Sequence, residues 1–496
     1  MDLPRSSGIL LHPTSLPGPH GIGDVGPGAL RWLEWLNAHG QRAWQVLPLG
    51  PTGFGDSPYQ SFSAFAGNPW LVSPDALVHD GVLAPDDLAA APSGADQRVA
   101  YGDLIPWKQN VLDRAWARFR AAPPPALRAG FDAFRADASS WLDDFALFMA
   151  LKDAAAGAPW TEWDPALARR EPPALQDARQ RLADAIEAHR FRQFLFFRQW
   201  NGVRARAREL AIRLIGDVPI FVAHDSADVW AHPELFELDA HGHPTVVAGV
   251  PPDYFSATGQ RWGNPLYRWP ALAANGYTWW IARLRAALDQ VDVVRLDHFR
   301  GFAAHWEVRA SEETAEHGRW VAGPGGAFFD AVRAALGDLP LIAEDLGVIT
   351  PDVAALRDRF DLPGMKVLQF AFGDGAANPF LPHNHPQRSV VYTGTHDNAP
   401  TRAWYAEDAT PAQRDHLRRY LRTDGSDAAW DLIRAASASV AAVMIVPLQD
   451  VLALGDEGRM NRPGQAGGNW SWRFQWTDLK PGTGARLLEV TTLYGR

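Results

Sequence analysis

The sequence predicts an α/β protein, a (β/α)8 barrel of the TIM type with large, mainly helical insertions on its C-terminal rim. Eight short apolar runs, each followed by a polar loop marked by Gly or Pro, have the character of buried strands. They lie at residues 7–11, 43–47, 215–222, 292–296, 340–343, 365–372, 389–393 and 441–446. Helical patterns separate several runs, which is the alternation of a parallel sheet. No Gly-x-Gly-x-x-Gly fingerprint follows the first run, which argues against a dinucleotide-binding sheet.

A long interval separates the second predicted strand from the third. The second run, Ala43 to Leu47, ends before Pro48, and the third begins only at Ile215. Between them lie helix-like segments at 141–155 and 178–200. Because loops on a rigid scaffold tolerate length, we predict an insertion subdomain over 73–205, between strands 2 and 3.

A second interval lies between the third and fourth predicted strands. We predict an insertion over 225–285 there. Near its end, Ile281, Leu284 and Leu288 recur at helical spacing and lead directly into the strand at 292–296. This is the order of helix and strand that a barrel requires.

The clearest helix signal follows the fifth predicted strand. The segment 350–352, Thr-Pro-Asp, supplies a capping residue, a proline suited to the first turn and an acidic group near the positive end of the helix. Val353, Leu356 and Phe360 then share one face. No internal repeat interrupts the pattern, so we predict that residues 1–496 form a single barrel domain.

Composition excludes several function classes. The chain has 496 residues and a net charge of −10, so nucleic acid is not an expected partner. It has no cysteine, which excludes disulfides and thiolate metal sites and fits a reducing compartment. No apolar run approaches the ~20 residues that span a bilayer. We expect a cytoplasmic protein with no membrane partner; the sequence carries no signal for its oligomeric state.

Charged and polar side chains stand at the C-terminal ends of three predicted strands. Barrel enzymes place their active sites at this end. The set consists of three carboxylates, Asp297, Glu344 and Asp397, with Arg295, His298 and His396 beside them. Two carboxylates that flank one bond are the usual equipment for cleaving a glycoside, and a third negative group stabilises the oxocarbenium-like transition state. The 22 Trp residues also suit a carbohydrate groove, although most are expected in the core.

The strand period assigns a partner to Asp297. Arg295 lies two residues earlier, so both side chains point to the same side of the strand. An arginine there would hold Asp297 ionised, as a nucleophile requires. Asp292 has the opposite parity and is expected to face away, and Asp345 is expected to accept hydrogen bonds in a loop. Asp225, Asp228 and Glu307 are further carboxylates near strand ends.

Two other site types receive little support. His224-Asp225-Ser226 could be a fragment of a hydrolase triad, but no Gly-x-Ser-x-Gly elbow accompanies it. No His-Glu-x-x-His or comparable spacing indicates a metal site.

Long stretches of the chain resemble one enzyme family. The strings at 294–298, 343–345 and 395–398 are similar to conserved regions of the α-amylase superfamily. More specifically, the chain resembles the amylomaltases, the bacterial 4-α-glucanotransferases or disproportionating enzymes. The matching stretches cover essentially the whole chain, at 11–18, 55–60, 216–222, 249–255, 261–265 and 493–496.

The resemblance implies a role for each candidate residue. Asp297 would be the nucleophile that forms a covalent glucosyl-enzyme, Glu344 the acid/base and Asp397 the transition-state stabiliser. The residues expected to bind sugar or to lie on a lid-like loop over the cleft are Tyr59, Asp253, Tyr254, Phe255, Trp262, Arg295, His298, Phe370, His396 and Asn461. The reaction would pass a piece of an α-glucan, such as a maltooligosaccharide or amylose, to another glucan or to glucose. It would need no metal or organic cofactor.

Transfer rather than hydrolysis requires that water be kept from the intermediate. The loop at 249–265, rich in Gly and aromatic residues, is the candidate cover. A retaining α-glucan hydrolase of the same superfamily, and a non-catalytic glucan-binding protein, are the alternatives. The chain departs from the family at Phe54, where relatives carry Tyr, and at Ala399-Pro400, where Asp-Thr is commoner. Both departures bear on acceptor preference and product size rather than on the reaction.

Overall fold

The computed structural model describes residues 3–94, 97–252, 256–465 and 467–496. Within these ranges the strands are β1 (Ser6–Leu10), β2 (Ala43–Gln45), β3 (Arg213–Pro219), β4 (Val246–Val250), β5 (Gln260–Pro265), β6 (Val293–Asp297), β7 (Ala304–Arg309), β8 (Gly318–Ala322), β9 (Leu341–Ala343), β10 (Gly364–Val367), β11 (Ser389–Tyr392) and β12 (Val443–Pro447). Eight of them close a parallel barrel in the order β1-β12-β11-β10-β9-β6-β3-β2. The predicted barrel is confirmed, and each of its strands overlaps one predicted run.

Helices fill the connections. They are α1 (Pro27–Ala38), α2 (Pro74–His79), α3 (Tyr101–Ala121), α4 (Pro125–Asp137), α5 (Leu142–Ala154), α6 (Pro165–Ala168), α7 (Pro172–Arg181), α8 (Ala183–Glu209), α9 (Ala227–Ala231), α10 (Trp269–Ala274), α11 (Thr278–Gln290), α12 (Arg300–Ala303), α13 (Gly325–Leu336), α14 (Pro351–Arg359), α15 (Thr401–Ala403), α16 (Pro411–Leu421), α17 (Ala428–Ala438), α18 (Leu448–Val451) and α19 (Pro481–Leu493). A π-helical turn, Trp404–Asp408, extends α15. Among the described residues, no helix is both long enough and apolar enough to cross a bilayer.

The barrel closes between the first and last strands of the chain. Ser6 pairs with Val443 and Leu10 with Pro447 in parallel register. Arg496 secures this seam at the N-terminal ends of both strands, because its guanidinium donates to the main-chain oxygens of Ser6 (3.1 Å) and Ala441 (3.1 Å). The two ends of the sequence therefore meet at one side of the barrel.

The helix after β9 begins where the sequence predicts. Thr350 occupies the cap position and Pro351 the first turn of α14, but the Thr350 side chain makes no capping hydrogen bond. Its hydroxyl instead accepts a hydrogen bond from Arg300 at 3.3 Å. Val353 and Leu356 are buried against the barrel, as their spacing indicates.

A second sheet was not predicted. β5, β4, β7 and β8 form an antiparallel sheet in that order. Glycine and proline depress strand propensity, and Gly249, Pro265 and Gly318 lie within these strands, so their sequence signal is weak. The interval 225–285 thus contains two strands as well as helices, whereas the interval 73–205 is helical where it is described. The insertion boundaries stay predictions.

Candidate active site

Arg295 forms the centre of a buried ion-pair cluster at the end of β6. One of its terminal nitrogens lies 2.6 Å from Asp297 Oδ1 and 3.1 Å from Asp217 Oδ2. Its Nε donates to Asp217 Oδ1 at 3.1 Å. The expected contact between Arg295 and Asp297 is confirmed, and it exists because alternate residues of the strand share a face. Burial raises the pKa of Asp217, and the Arg295 guanidinium acts in the opposite direction.

Glu344 follows β9, the neighbour of β6 in the barrel. Its Oε2 accepts the main-chain N–H of His298 at 2.7 Å, and its Oε1 accepts that of Leu346 at 3.0 Å. Burial, and next the negative charge of Asp297, raise the pKa of Glu344 well above the ordinary value; Arg295 and the two amides oppose this shift. A carboxyl group that keeps its proton beside a carboxylate paired with arginine is the arrangement that separates a general acid from a nucleophile.

His298 links these two carboxylates through its main chain, because it directly follows Asp297 and its N–H donates to Glu344. Its φ of +52° places it in the left-handed region, which costs a residue other than glycine about 1–2 kcal/mol. This turn, directly after Asp297 in the chain, points the His298 N–H at the Glu344 carboxylate. Burial, followed by the charge of Arg300, lowers the pKa of the His298 imidazole to about 4, so the ring is neutral near pH 7. Its Nε2 is buried and has no hydrogen-bond partner among the described residues.

Asp397 lies on the loop after β11 and is half exposed. Its Oδ1 accepts a hydrogen bond from Asn461 Nδ2 at 2.6 Å, and its Oδ2 lies 3.3 Å from His396 Nε2. Burial lowers the pKa of His396, which favours the neutral ring. The structure therefore brings three of the predicted site residues, Asp397, His396 and Asn461, into one cluster.

Tyr59 connects this cluster to the one around Arg295. Its ring stacks on His396, with centroids 5.2 Å apart and planes 14° apart. Its hydroxyl donates to Asp217 Oδ2 at 2.7 Å. Trp470 packs against both rings, with its centroid 5.7 Å from that of Tyr59 and 6.0 Å from that of His396. Tyr59 is thus held at the barrel mouth by contacts to β3 and to the two loops that carry His396 and Trp470.

Sequence reasoning missed Asp217. The apolar run at 215–222 predicts a strand whose C-terminal end lies at Val222, whereas β3 ends at Pro219, so Asp217 falls inside the predicted strand. The signal that could have found it is a carboxylate inside an apolar strand, since Asp217 lies directly opposite Arg295 in the register of β3 and β6. The Asp217 side chain has no exposed surface, and its contacts to Arg295 and Tyr59 show that it belongs to the site.

Of the remaining predicted residues, the structure locates one at the site. Trp262 on β5 meets the His298 ring edge to face, with centroids 4.8 Å apart, and so lies at the site. Phe370 packs against Phe380, with centroids 5.6 Å apart, and its role in a sugar subsite stays a prediction. Asp253, Tyr254 and Phe255 lie outside the described residues.

The other carboxylates near strand ends have structural partners. Asp292 accepts the N–H of Leu214, and Asp345 accepts the guanidinium of Arg357 and the N–H of Met365, as expected for residues outside the site. Asp225 pairs with Lys152, Asp228 accepts the N–H of Ala64 and Glu307 pairs with Arg319. Within the described ranges, His, Asp and Glu side chains form no group of three that could hold a metal ion.

The two departures from the family occupy different environments. Phe54 is 78% exposed on the rim, so its ring is available to a ligand but touches little of the protein. Ala399 and Pro400 are buried beside His396, where they line a small cavity of about 20 Å³ together with His12 and Met460. Only the second departure lies on the loop that carries Asp397.

Comparison with known proteins gives a consistent result. The sequence profile described as 4-alpha-glucanotransferase matches residues 11–479. A 4-alpha-glucanotransferase of Thermus thermophilus is 55% identical over 98% of this chain and 98% of its own length. One from Synechocystis sp. is 52% identical over 99% of this chain and 98% of its own. In structure, the chain is similar to an amylomaltase from Streptococcus agalactiae, solved in complex with acarbose, with a TM-score of 0.96, 39% identity and 99% coverage of each chain.

Proposed function

The chain belongs to the 4-alpha-glucanotransferase family, and on that premise we propose that Asp297, Glu344 and Asp397 carry out the transfer by a retaining double displacement. The enzyme moves a segment of an α-1,4-glucan from a donor to an acceptor. The donors and acceptors that we propose are maltooligosaccharides, amylose-like chains and, as acceptor, glucose.

In the first step, an Asp297 carboxylate oxygen attacks the anomeric carbon of the donor. The glycosidic bond breaks as Glu344 gives its proton to the departing oxygen, which leaves as a free 4-hydroxyl on the shortened chain. The raised pKa of Glu344 supports this role, because the proton must be present at neutral pH. The contact with Arg295 supports the role of Asp297, since the guanidinium pairs with this carboxylate and orients it at the end of β6.

In the second step, the 4-hydroxyl of an acceptor attacks the same carbon. Glu344, now ionised, takes the hydroxyl proton, and the bond between the sugar and Asp297 breaks. Two inversions at one carbon return the α configuration. For this geometry we expect the carboxyl groups of Asp297 and Glu344 to lie ~5–5.5 Å apart.

The surrounding residues would hold the sugar during both steps. Tyr59 is expected to stack on the ring that is transferred, and the neutral His298 and His396 to hydrogen-bond its hydroxyls. Asp397 would stabilise positive charge on the ring. Trp262, which contacts the His298 ring, is proposed to help cover the cleft, so that an acceptor rather than water reaches the intermediate.

One observation carries this proposal. Glu344 accepts a hydrogen bond from the N–H of His298, the residue directly after Asp297. The two carboxyl groups therefore stand at the ends of adjacent strands, where burial raises the pKa of Glu344 and Arg295 pairs with Asp297. Because whole-length relatives are transferases, a hydrolase or a silent glucan-binding protein is not favoured.

A product profile from purified protein and maltotriose tests the proposal. Oligosaccharides longer than the substrate, with glucose as the small product, are expected. Glucose and maltose alone would mean that water outcompetes the acceptor and would overturn the proposed exclusion of water. Asp297→Asn should fold but form no products, and Asp292→Asn is the matched control, because Asp292 faces away from the site. A cytoplasmic location is proposed from the cysteine-free composition and is tested by cell fractionation.

A further inference from the structure

The loop that carries Asp397 is held at both ends by one carboxylate. We define this segment, residues 393–401, as the Asp397 loop. At its start, the Thr393 hydroxyl donates to Asp450 Oδ2 at 2.5 Å. At its end, the Thr401 N–H donates to Asp450 Oδ1 at 2.6 Å and the Thr401 hydroxyl to Oδ2 at 2.7 Å. Asp450 lies on α18, directly after β12, so it reaches the loop from the neighbouring strand of the barrel.

A second side chain holds the loop close to Asp397. Gln369 Nε2 donates to the main-chain oxygen of Ala399 at 3.0 Å and to the Thr401 hydroxyl at 3.1 Å. Inside the loop, Asn398 Oδ1 accepts the N–H of Thr395 at 2.9 Å. The loop is therefore fixed internally and at its ends, while the Asp397 side chain itself remains half exposed.

The position suits a carboxylate: burial raises the pKa of Asp450, and the hydrogen bonds from Thr393 and Thr401 act in the opposite direction. Three donors converge on the two Asp450 oxygens, and an ionised carboxyl group has acceptor sites for all of them, whereas an amide has one oxygen. Asp450 is 1% exposed, and none of the ion pairs formed by the described residues includes it. A buried charge without a cation is kept only where its hydrogen bonds compensate for lost water. Those bonds all go to the Asp397 loop.

We propose that Asp450 is a positioning residue that sets the place of Asp397 relative to the reacting sugar. This inference rests on the proposed function, in which Asp397 acts on the transition state. Asp450 does not touch the sugar; it acts through the loop. Removing it would let the loop shift by a fraction of an ångström, which weakens an interaction that matters in the transition state more than in substrate binding.

The test is Asp450→Asn, which keeps shape and removes charge and acceptor capacity. We expect kcat for maltotriose disproportionation to fall about 10- to 100-fold, with KM changed less than about twofold. Asp431→Asn is the matched control, because Asp431 is also a buried carboxylate that accepts a threonine hydroxyl, that of Thr423 at 2.6 Å, but it makes no bond to the Asp397 loop. Its kcat should stay at the wild-type value.

A double-mutant cycle separates positioning from a structural role. If Asp450 acts through Asp397, adding Asp450→Asn to Asp397→Asn lowers kcat by less than about twofold. If Asp450→Asn lowers kcat as much in the Asp397→Asn background as it does in the wild type, the proposal is overturned. An Asp450→Asn enzyme with reduced thermal stability and unchanged kcat would also overturn it. If Asp450→Asn does not fold, Thr401→Val decides, since it removes one donor and keeps the N–H; its kcat should fall about 3- to 10-fold.

The cycle also distinguishes the two levels of proposal. Asp397→Asn with wild-type kcat would mean that the proposed role of Asp397 is wrong. Asp397→Asn that is impaired, together with Asp450→Asn that is not, would mean that only the positioning inference is wrong.

Discussion

Replacing Arg295 with Met would test the buried ion-pair cluster most directly. The substitution keeps a long apolar side chain and removes the guanidinium that contacts both Asp217 and Asp297. The Asp217 side chain is 0% exposed and that of Asp297 is 29% exposed, so the two carboxylates are affected unequally. Asp217 loses its cation in a place that water does not reach, whereas Asp297 is partly solvated.

The expected loss of unfolding free energy follows from that difference. Breaking a buried ion pair by removing one partner costs about 3–5 kcal/mol, and the partly exposed pair adds less because solvent screens it. The loss should depend on pH. Burial already raises the pKa of Asp217, and without Arg295 that pKa rises further. A carboxyl group with a raised folded-state pKa contributes stability below its unfolded-state pKa and loses it as pH rises through the folded-state pKa. Because both proteins share the unfolded-state pKa, their stabilities should diverge only above the wild-type folded pKa of Asp217, which is about 7, so the deficit of Arg295→Met should grow as the pH rises above about 7.

Urea unfolding monitored by tryptophan fluorescence at several pH values measures this deficit. Arg181→Met is the control, since Arg181 and Asp177 form a pair of the same 2.6 Å length whose side chains are 57% and 64% exposed; its cost should stay below about 1 kcal/mol. Adding Asp217→Asn to Arg295→Met should restore about 2 kcal/mol, because no unpaired charge then remains. A deficit below about 1 kcal/mol for Arg295→Met, or one that is independent of pH, would refute the reasoning.

Three further predictions concern the acid, the imidazole and the barrel wall. Glu344→Gln should fold and lose about 10²- to 10⁴-fold in kcat. In the wild type, kcat/KM should fall as the pH rises through the raised pKa of Glu344, and a profile without this decrease would contradict its role as the acid. His298 should remain neutral above about pH 5 in an NMR titration, given its pKa of about 4, and a midpoint near the ordinary histidine value would be contrary evidence. Gly8→Ala should cost about 3 kcal/mol in urea unfolding, because a Cβ there would lie 2.3 Å from the main-chain oxygen of Ala43 on β2; an unchanged midpoint would show that the strands separate without cost.

The barrel was predictable because each of its strands carries its own signal. The sequence of a strand that is buried on both faces is a short run of apolar residues, and Gly or Pro in the following loop ends the run. The antiparallel sheet lacks this signal, since Gly249 and Pro265 are tolerated only in the context of their neighbours. Local composition therefore predicted the scaffold and not the sheet attached to it.

The site was predictable to the extent that it depends on one strand at a time. The contact between Arg295 and Asp297 follows from strand parity and was expected. The bond from Tyr59 to Asp217 and the hold of Asp450 on the Asp397 loop depend on the register between strands and on loops distant in sequence. Such contacts are set by tertiary packing, which a single sequence does not reveal.

The seam between β1 and β12 has a consequence for how this protein becomes active. The pairing of Ser6 with Val443 joins the two ends of the sequence, and contacts of such long range form late because loop closure costs entropy. Asp450 and Asn461, both beyond β11, complete the surroundings of Asp397 only when β12 is in place. Helices such as α8 form from local contacts, so they can form before β12 pairs with β1. During refolding, the far-ultraviolet circular dichroism signal should therefore recover before enzymatic activity, and activity should return with the slowest phase, when the barrel closes.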